Sequence, residues 1–258
     1  MEITSSRNPL LQGIRKAVSS GRPTEDGFVV AEGPHLLEEA LRSSWAIMRV
    51  LTTATGRQKY ADLLQRVQSE VVDVAPRAFE SAAGTQHSQQ ILALAKPRSW
   101  NWYDLVGQTS LVTVLDGIQD PGNAGTIVRS AEAFGATGVV FLRGSANVSN
   151  GKLLRASAGS IFRMPFIEGL DAAGLLQLAA GKGLAVYALD PAAPTTITAA
   201  NLRVPLMLVA GNEGSGVSQL LADGAARVSI PTKGVESLNA AIACSVALFA
   251  AQLQRGAA

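Results

Sequence analysis

The sequence is poor in the residues that build disulfides and metal sites. Cys244 is the only cysteine, and the only histidines are His35 and His87. One cysteine cannot form a disulfide within the chain, and the histidines lack the spacing of a metal site or a Ser, His, Asp arrangement. We therefore predict no metal ligands, a small buried residue at Cys244, and a reducing compartment.

Long hydrophobic runs and a strong charge of one sign are also missing. No run of 18 apolar residues occurs, and Met1–Leu10 lacks a hydrophobic signal core, so we expect no membrane partner and a cytoplasmic location. The net charge is only +2, with 12 basic and 11 acidic residues through Thr109, then 10 and 9. Any nucleic acid must therefore bind a local patch rather than a bulk cationic field.

The chain has 258 residues and is 47% hydrophobic, enough for one large or two ordinary domains. Short helices and strands alternate over residues 1–98, which predicts a small α/β unit, and residues 99–109 are predicted to be a linker. In residues 110–258, continuous apolar strands alternate with helices, which predicts a parallel sheet covered on both faces. These strands are Leu111–Leu115, Gly138–Leu142, Ala185–Leu189, Leu206–Ala210 and Arg227–Ile230.

Three loops in this second part each follow a strand and precede a helix, at Leu115–Arg129, Val209–Ser218 and Ile230–Asn239. Because open α/β sheets bind ligands at the carboxyl ends of their strands, we predict that the three loops form one composite pocket. The first loop lacks Gly-x-Gly-x-x-Gly and Gly-Lys-Ser/Thr, so neither a dinucleotide fold nor a phosphate loop is indicated.

Each polar residue of these loops has two interpretations. Asn123 and Ser237 are plausible helix caps or site residues, and Arg129 is a surface arginine or points back over a helix start. Glu213 either favours a helix dipole or orients a ligand among glycines. Asn239 is a poor helix former two residues after Ser237, which makes a purely structural role harder to accept.

Taken in order, the three loops resemble the motifs of the SpoU (TrmH-like) family of RNA ribose 2′-O-methyltransferases, in the SPOUT superfamily. The matching residues are Asn123-x-Gly125-x-x-x-Arg129-x-Ala131, Gly211-Asn212-Glu213-Gly214-x-Gly216 and Ile230-Pro231-x-x-Gly234-x-x-Ser237-Leu238-Asn239. Leu154–Ser160 and Arg163-Met164-Pro165 are similar to the segment that members carry between the first two motifs. The first 98 residues resemble, less specifically, a ribosomal-protein-like substrate-binding domain.

The resemblance implies a parallel sheet with a C-terminal trefoil knot, a rare exception to unknotted topology, and a homodimer formed through the knotted domain. It implies S-adenosylmethionine as methyl donor, held by Gly211, Ile230 and Leu238. Among catalytic residues it assigns Arg129 to the ribose 2′-hydroxyl. Asn123 and Glu213 are expected to orient Arg129 or the ribose, and Ser237 with Asn239 is expected to hold the acceptor nucleotide.

We expect ribosomal RNA rather than transfer RNA as substrate, because the N-terminal unit resembles ribosomal RNA-binding modules. Methylation of a base nitrogen and a non-catalytic RNA-binding protein on the same scaffold are the alternatives. Exposed cations predicted to contact RNA phosphates are Arg7, Arg15, Lys16 and Arg155.

Overall fold

A computed structural model describes residues 2–85 and 88–256 of the chain, and His87 lies outside these ranges. Contacts divide the chain into two compact units. The first unit comprises Met1–Ser99 and Asn147–Arg163, and the second comprises Trp100–Ala146 and Met164–Ala258. Asn147–Arg163 thus belongs by its contacts to the first unit, although it lies within residues 110–258.

The helices and strands are numbered along the chain. The helices are α1 (Pro9–Ser20), α2 (Pro34–Leu41), α3 (Ala54–Lys59), α4 (Ala61–Leu64), α5 (Pro76–Glu80), α6 (Trp102–Leu105), α7 (Pro121–Ala133), α8 (Gly151–Ala156), α9 (Ala172–Lys182), α10 (Gln219–Gly224) and α11 (Ala240–Gly256). The strands are β1 (Val29–Glu32), β2 (Ala46–Thr52), β3 (Glu70–Asp73), β4 (Ile91–Lys96), β5 (Leu111–Asp116), β6 (Gly138–Leu142), β7 (Phe166–Leu170), β8 (Ala185–Leu189), β9 (Leu206–Gly211) and β10 (Ala226–Val228). A short 3₁₀ helix covers Ser160–Phe162.

The first unit is a mixed sheet of strand order β1-β4-β2-β3 with helices packed against it. Strand β4 runs antiparallel to β1 and β2, and β2 runs parallel to β3. In α1, Leu11 and Ile14 are fully buried in the core that also contains Phe79 of α5. The later segment joins this unit where Phe162 packs edge-to-face on Trp45, with ring centroids 4.7 Å apart.

The second unit is a six-stranded sheet of order β10-β8-β9-β5-β6-β7, and all its neighbouring strands are parallel. Strands β5, β6 and β9 are buried along nearly their whole length, which explains their continuous apolar sequences. The parallel α/β fold with a separate N-terminal unit is therefore confirmed.

The register of the central strands brings two of the predicted loops together. Strand β5 pairs with β9 so that Asp116 lies opposite Gly211, at the carboxyl ends of both strands. Strand β8 lies beside β9, and β10 lies beside β8, so the loops after these strands open at the same edge. Helix α11 then packs against β9 and α7.

The C-terminal end of α11 is fixed by a side chain that the sequence patterns did not single out. The Arg255 guanidinium donates hydrogen bonds of 2.7–2.9 Å to the carbonyls of Thr109, Ser110, Leu202 and Val204. Burial lowers the pKa of Arg255. These bonds join the last helix to the start of β5. Within the described ranges, no helix is both long and apolar enough to cross a membrane.

Candidate functional site

Helix α7 begins with a cap that leaves the Asn123 side chain available. Asp120 is the N-cap residue, and its carboxylate accepts a 2.8 Å hydrogen bond from the Asn123 backbone N–H. Pro121 occupies the first helical position, where a missing N–H costs nothing. Of the two interpretations of Asn123, capping is therefore wrong, because Asp120 performs it.

The Asn123 side chain joins the three loops. Its Nδ2 donates to Glu213 Oε1 at 2.5 Å, and its Oδ1 accepts from Asn239 Nδ2 at 3.3 Å. Positions 123, 213 and 239 are far apart in sequence and come from the loops after β5, β9 and β10. The structure thus brings one polar residue of each predicted loop into a single hydrogen-bonded cluster.

Asn239 also begins the last helix. Its Oδ1 accepts from the backbone N–H groups of Ala241 at 3.0 Å and Ile242 at 3.3 Å, which is the geometry of an N-cap. This cap fixes the amide so that its Nδ2 group faces Asn123. Ser237, the other candidate cap, is exposed in the preceding loop, so the capping interpretation of Ser237 is wrong.

The glycine-rich loop after β9 folds back tightly on itself. A Cβ atom at Gly211 would lie 2.2 Å from the backbone of Gly216 and of Val217, so only glycine fits there. Asn212, a motif residue to which the sequence analysis assigned no role, donates from Nδ2 to Gly117 O at 2.9 Å. Its Oδ1 accepts from Gly214 N at 2.8 Å, so Asn212 ties this loop to the one after β5.

A cavity of about 650 Å³ opens beside this loop, at the carboxyl ends of β8, β9 and β10. Its apolar wall includes Leu189, Val228, Ile230 and Leu238. Asp190 and Glu213 are the only charged side chains among the described residues that line it. The predicted site residues on its wall are Gly211, Glu213, Ile230, Ser237, Leu238 and Asn239.

Arg129 lies outside the residues that line the cavity. It is exposed on α7, on one helix face with Thr126 and Gly122, three and seven positions earlier. This face leads back to the start of α7, where Asn123 lies. Among the residues that the structure describes, Arg129 has neither a hydrogen-bond nor an ion-pair partner.

The four cations predicted to contact RNA all belong to the first unit, and all are exposed. Two of them have partners within the chain. Arg15 donates to Ser81 O at 2.6 Å and to Ser81 Oγ at 2.8 Å. Lys16 lies 2.8 Å from Glu25 Oε1, and this hydrogen-bonded ion pair raises the pKa of Lys16. Their role in RNA binding stays a prediction, as it does for Arg7 and Arg155.

Cys244 is fully buried in α11, as predicted, and burial raises its pKa to about 12. Since the thiolate is the reactive form, this cysteine is not a nucleophile at neutral pH. No cluster of three or more potential metal-ligating side chains occurs in residues 2–85 or 88–256.

Two family models match the chain. The model of the SpoU rRNA Methylase family matches residues 110–249, and that of the MRM3-like substrate binding domain matches residues 19–93. These matches confirm the resemblance predicted from the three motifs.

Individual relatives are similar over almost the whole chain. An uncharacterized tRNA/rRNA methyltransferase of Synechocystis sp. is 32% identical over 99% of this chain and 95% of its own length. The 23S rRNA (guanosine(2553)-2′-O)-methyltransferase RlmP of Bacillus subtilis is 31% identical over 96% and 98%. The crystal structure of the SpoU methyltransferase AviRb from Streptomyces viridochromogenes, in complex with the cofactor AdoMet, superposes with a TM-score of 0.86 at 25% identity, covering 96% and 98% of the two chains.

Proposed function

The chain belongs to the SpoU rRNA methylase family, and from that premise we propose that it transfers a methyl group from S-adenosylmethionine to a ribose 2′-hydroxyl of ribosomal RNA. The observation that carries this proposal is the cluster of Asn123, Glu213 and Asn239 beside the cavity. Each of the three family motifs contributes one of these residues. The similarity to a 23S rRNA 2′-O-methyltransferase and to a cofactor-bound SpoU structure supports the same reaction.

The cavity fits S-adenosylmethionine in size and chemistry. Its volume of about 650 Å³ lies in the range of small-molecule sites, roughly 300–1,000 Å³. The apolar wall with Ile230 and Leu238 suits the flat adenine, and the crowded backbone at Gly211 presents main-chain groups to a ligand. Glu213 would offer its carboxylate to the positive charge of the cofactor. We assign Gly211, Ile230 and Leu238 to cofactor binding.

When bound, S-adenosylmethionine supplies an electrophilic methyl group, so the chain must align the acceptor and assist loss of its proton. The starts of α7 and α11 meet at Asn123 and Asn239, and the positive ends of helices favour an RNA phosphate there. A guanidinium offers hydrogen-bond donors and no acceptor, so we assign Arg129 to stabilise the developing alkoxide and the adjacent phosphate rather than to accept the proton. Asn123 orients Glu213, and Ser237 with Asn239 holds the acceptor nucleotide.

We further propose that the C-terminal segment is threaded as a trefoil knot. Asn212 bonds Gly117 across the loops after β9 and β5, and Asn123 bonds Asn239 beyond β10. These bonds keep the chain that enters α11 close to the other loops at this edge of the sheet, a proximity that threading through a loop requires.

A homodimer formed through this domain is the proposed assembly. Helix α11 exposes an apolar stripe of Ile242, Val246, Phe249 and Leu253, spaced at four, three and four residues. Residues with this spacing share one helix face, and an exposed apolar face of this kind is typical of a protein interface.

We propose the following organisation: a substrate-binding domain over residues 1–98, a linker over 99–109 and the methyltransferase domain over 110–258. The match of residues 19–93 to a substrate binding domain supports an RNA-binding role for the first of these. The cytoplasmic location stays a prediction. It is consistent with a ribosomal RNA substrate, and cell fractionation tests it.

The test of the function is a map of 2′-O-methyl positions in cellular RNA with and without this protein. A ribose methyl protects the adjoining phosphate from alkaline cleavage, so the lost position becomes cleavable in ribosomal RNA when the gene is deleted. Re-expression of the natural chain restores protection. Loss of protection in transfer RNA alone, loss of a base methyl instead, or an unchanged map would each contradict the proposal and point to one of the alternatives.

A further inference from the structure

The second carboxylate of the cavity, Asp190, lies at the carboxyl end of β8 and belongs to none of the three motifs. It lines the cavity beside Leu189 and Pro191, and its side chain is 24% exposed. The backbone holds it in place, because Asp190 N donates to Val228 O at 3.0 Å. Val228 lines the same apolar wall.

Each oxygen of this carboxylate has one partner and can accept more. Oδ1 accepts from Ala192 N at 2.8 Å, and Oδ2 lies 3.2 Å from Arg227 Nη1. An ionised carboxylate has about four acceptor positions, so about two are left for a ligand. The two existing bonds fix the rotamer, which reduces the entropy cost of binding.

The two carboxylates of the cavity differ in their electrostatic environment. Arg227 partly neutralises Asp190, whereas no described residue pairs a cationic side chain with Glu213. A neutralised carboxylate suits a neutral hydroxyl donor, and an unpaired one suits a cation. S-adenosylmethionine carries its hydroxyls on the ribose and its positive charges at the sulfonium and ammonium groups.

From this geometry we infer that Asp190 accepts hydrogen bonds from the ribose hydroxyls of the cofactor and thereby selects a ribonucleoside ligand. The inference rests on the proposed function. An acid at the end of a parallel strand, with an adenine-sized apolar wall beside it, is placed as ribose-binding acids are in other α/β nucleotide sites. The adenine would lie against Leu189, Val228 and Ile230.

The test is isothermal titration calorimetry of the full chain with S-adenosylhomocysteine and with its 2′-deoxy and 3′-deoxy analogues. Hydrogen bonds to charged groups predict that the natural chain binds the ribose ligand about 10- to 100-fold more tightly than at least one deoxy analogue. In Asp190→Ala this ratio falls to about twofold, because the acceptor is gone. In Asp190→Asn, which keeps an oxygen for Ala192 N, the ratio is intermediate.

The ratio separates ligand binding from a structural role. A residue that only shapes the turn would weaken all three ligands equally, so an unchanged ratio in both Asp190 variants overturns the inference. Arg227→Gln is the matched control. It removes the ion pair but keeps the Asp190 carboxylate, so most of the preference for the ribose ligand over its deoxy analogues should remain. If the natural chain binds none of the three ligands, the proposed function fails as well. If it binds them, but the affinity ratio is the same in the natural chain and in both Asp190 variants, only this inference fails.

Discussion

At the scale of single residues, Arg129 is a side chain whose proposed role lies in contact with the RNA and not within the protein. It is exposed, and it has no partner among the described residues, so stability gives no reason for an arginine there. Arg129→Ala is expected to lower the rate of methyl transfer at least 100-fold, the usual loss when one stabilising donor is removed from a transition state. Cofactor affinity should change less than twofold, because Arg129 does not line the cavity.

A methylation assay with labelled S-adenosylmethionine, together with calorimetry, measures both quantities. Lys182→Ala removes another exposed cation of the same unit and serves as control. Arg129→Lys keeps the charge without the planar fork, so its rate shows how much bidentate geometry contributes. Methylation by Arg129→Ala at the natural rate would remove Arg129 from the proposed mechanism.

The predictability of single residues depended on how local their partners are. The local pattern of Asp120 followed by Pro121 marks the cap of α7, although the cap candidate that we named was Asn123, three residues later. No local signal pairs Asn212 with Gly117, because the contact crosses 95 positions. Asp190 was missed because it follows β8, a strand whose following loop carries none of the three motifs.

At the scale of elements, the turn after β9 depends on a glycine with an unusual requirement. Glycine is required at position 211 because there is no room for a Cβ atom, and not because the backbone is left-handed. An added Cβ would lie 2.2 Å from backbone atoms that cannot move aside independently. Gly211→Ala therefore displaces residues 216–217 and with them the cavity wall. We expect cofactor affinity to fall about tenfold or more, in line with the roughly 1–3 kcal/mol cost of overpacking.

Gly214→Ala is a matched control in the same loop. Its nearest neighbour would be Asn212 Oδ1 at 3.4 Å, an ordinary contact, so its affinity should stay within about threefold of the natural chain. Calorimetry compares the two variants, and thermal unfolding shows whether the loss is confined to the loop. Equal affinities for Gly211→Ala and the natural chain would contradict the proposed tight turn at the cofactor.

Buried, uniformly apolar strands were predicted well, and irregular elements were not. The five predicted strands of the second domain correspond to β5, β6, β8, β9 and β10. Strand β7 was missed because it is an edge strand with exposed Glu168 and with Gly169 at a φ of +80°. In the first unit, α3 and α4 are separate helices because Tyr60 between them has a φ of −114°, which is not helical, and apolar spacing alone does not show such a break.

The exposed face of α11 predicts the assembly state. Ile242, Val246, Phe249 and Leu253 are 38–57% exposed in the single chain, which is unusual for an apolar stripe on one helix. Phe249→Asp places a charge in the centre of this stripe and is expected to convert a dimer into a monomer, as measured by sedimentation equilibrium at micromolar concentration. Leu220→Asp on α10 changes an apolar residue that is 51% exposed outside the stripe, and it should leave the dimer intact. A natural chain that sediments as a monomer, or a dimeric Phe249→Asp variant, would contradict the proposed interface.

At the scale of the whole molecule, the contacts build the first unit from two segments that are far apart in the sequence. The segment Asn147–Arg163 follows two strands of the second unit but packs with the first, where the Arg163 guanidinium forms an ion pair with Glu39. Local periodicity could predict the helix α8 in this segment, but not its partner. As a result, Arg155 joins Arg7, Arg15 and Lys16 in the first unit.

This grouping makes a quantitative prediction about RNA binding. Arg7 and Arg155 are the cleaner pair to test, because Arg15 and Lys16 already bond Ser81 and Glu25. Each phosphate contact contributes about 0.7–0.9 to the slope of log affinity against log salt, so the double variant Arg7→Gln, Arg155→Gln should flatten that slope by about 1.5. Cofactor affinity should not change, since neither residue lines the cavity.

The matched control is Arg49→Gln with Arg57→Gln, which removes two cations of the same unit that are paired with Glu70 and Asp73. Because those charges are already compensated within the chain, the control should leave the slope nearly unchanged. Fluorescence anisotropy of a labelled ribosomal RNA fragment, titrated at several salt concentrations, measures all three proteins. An identical slope for the double variant and the natural chain would exclude these two arginines from the RNA path, and it would move the phosphate contacts to the second unit, where Arg129 lies.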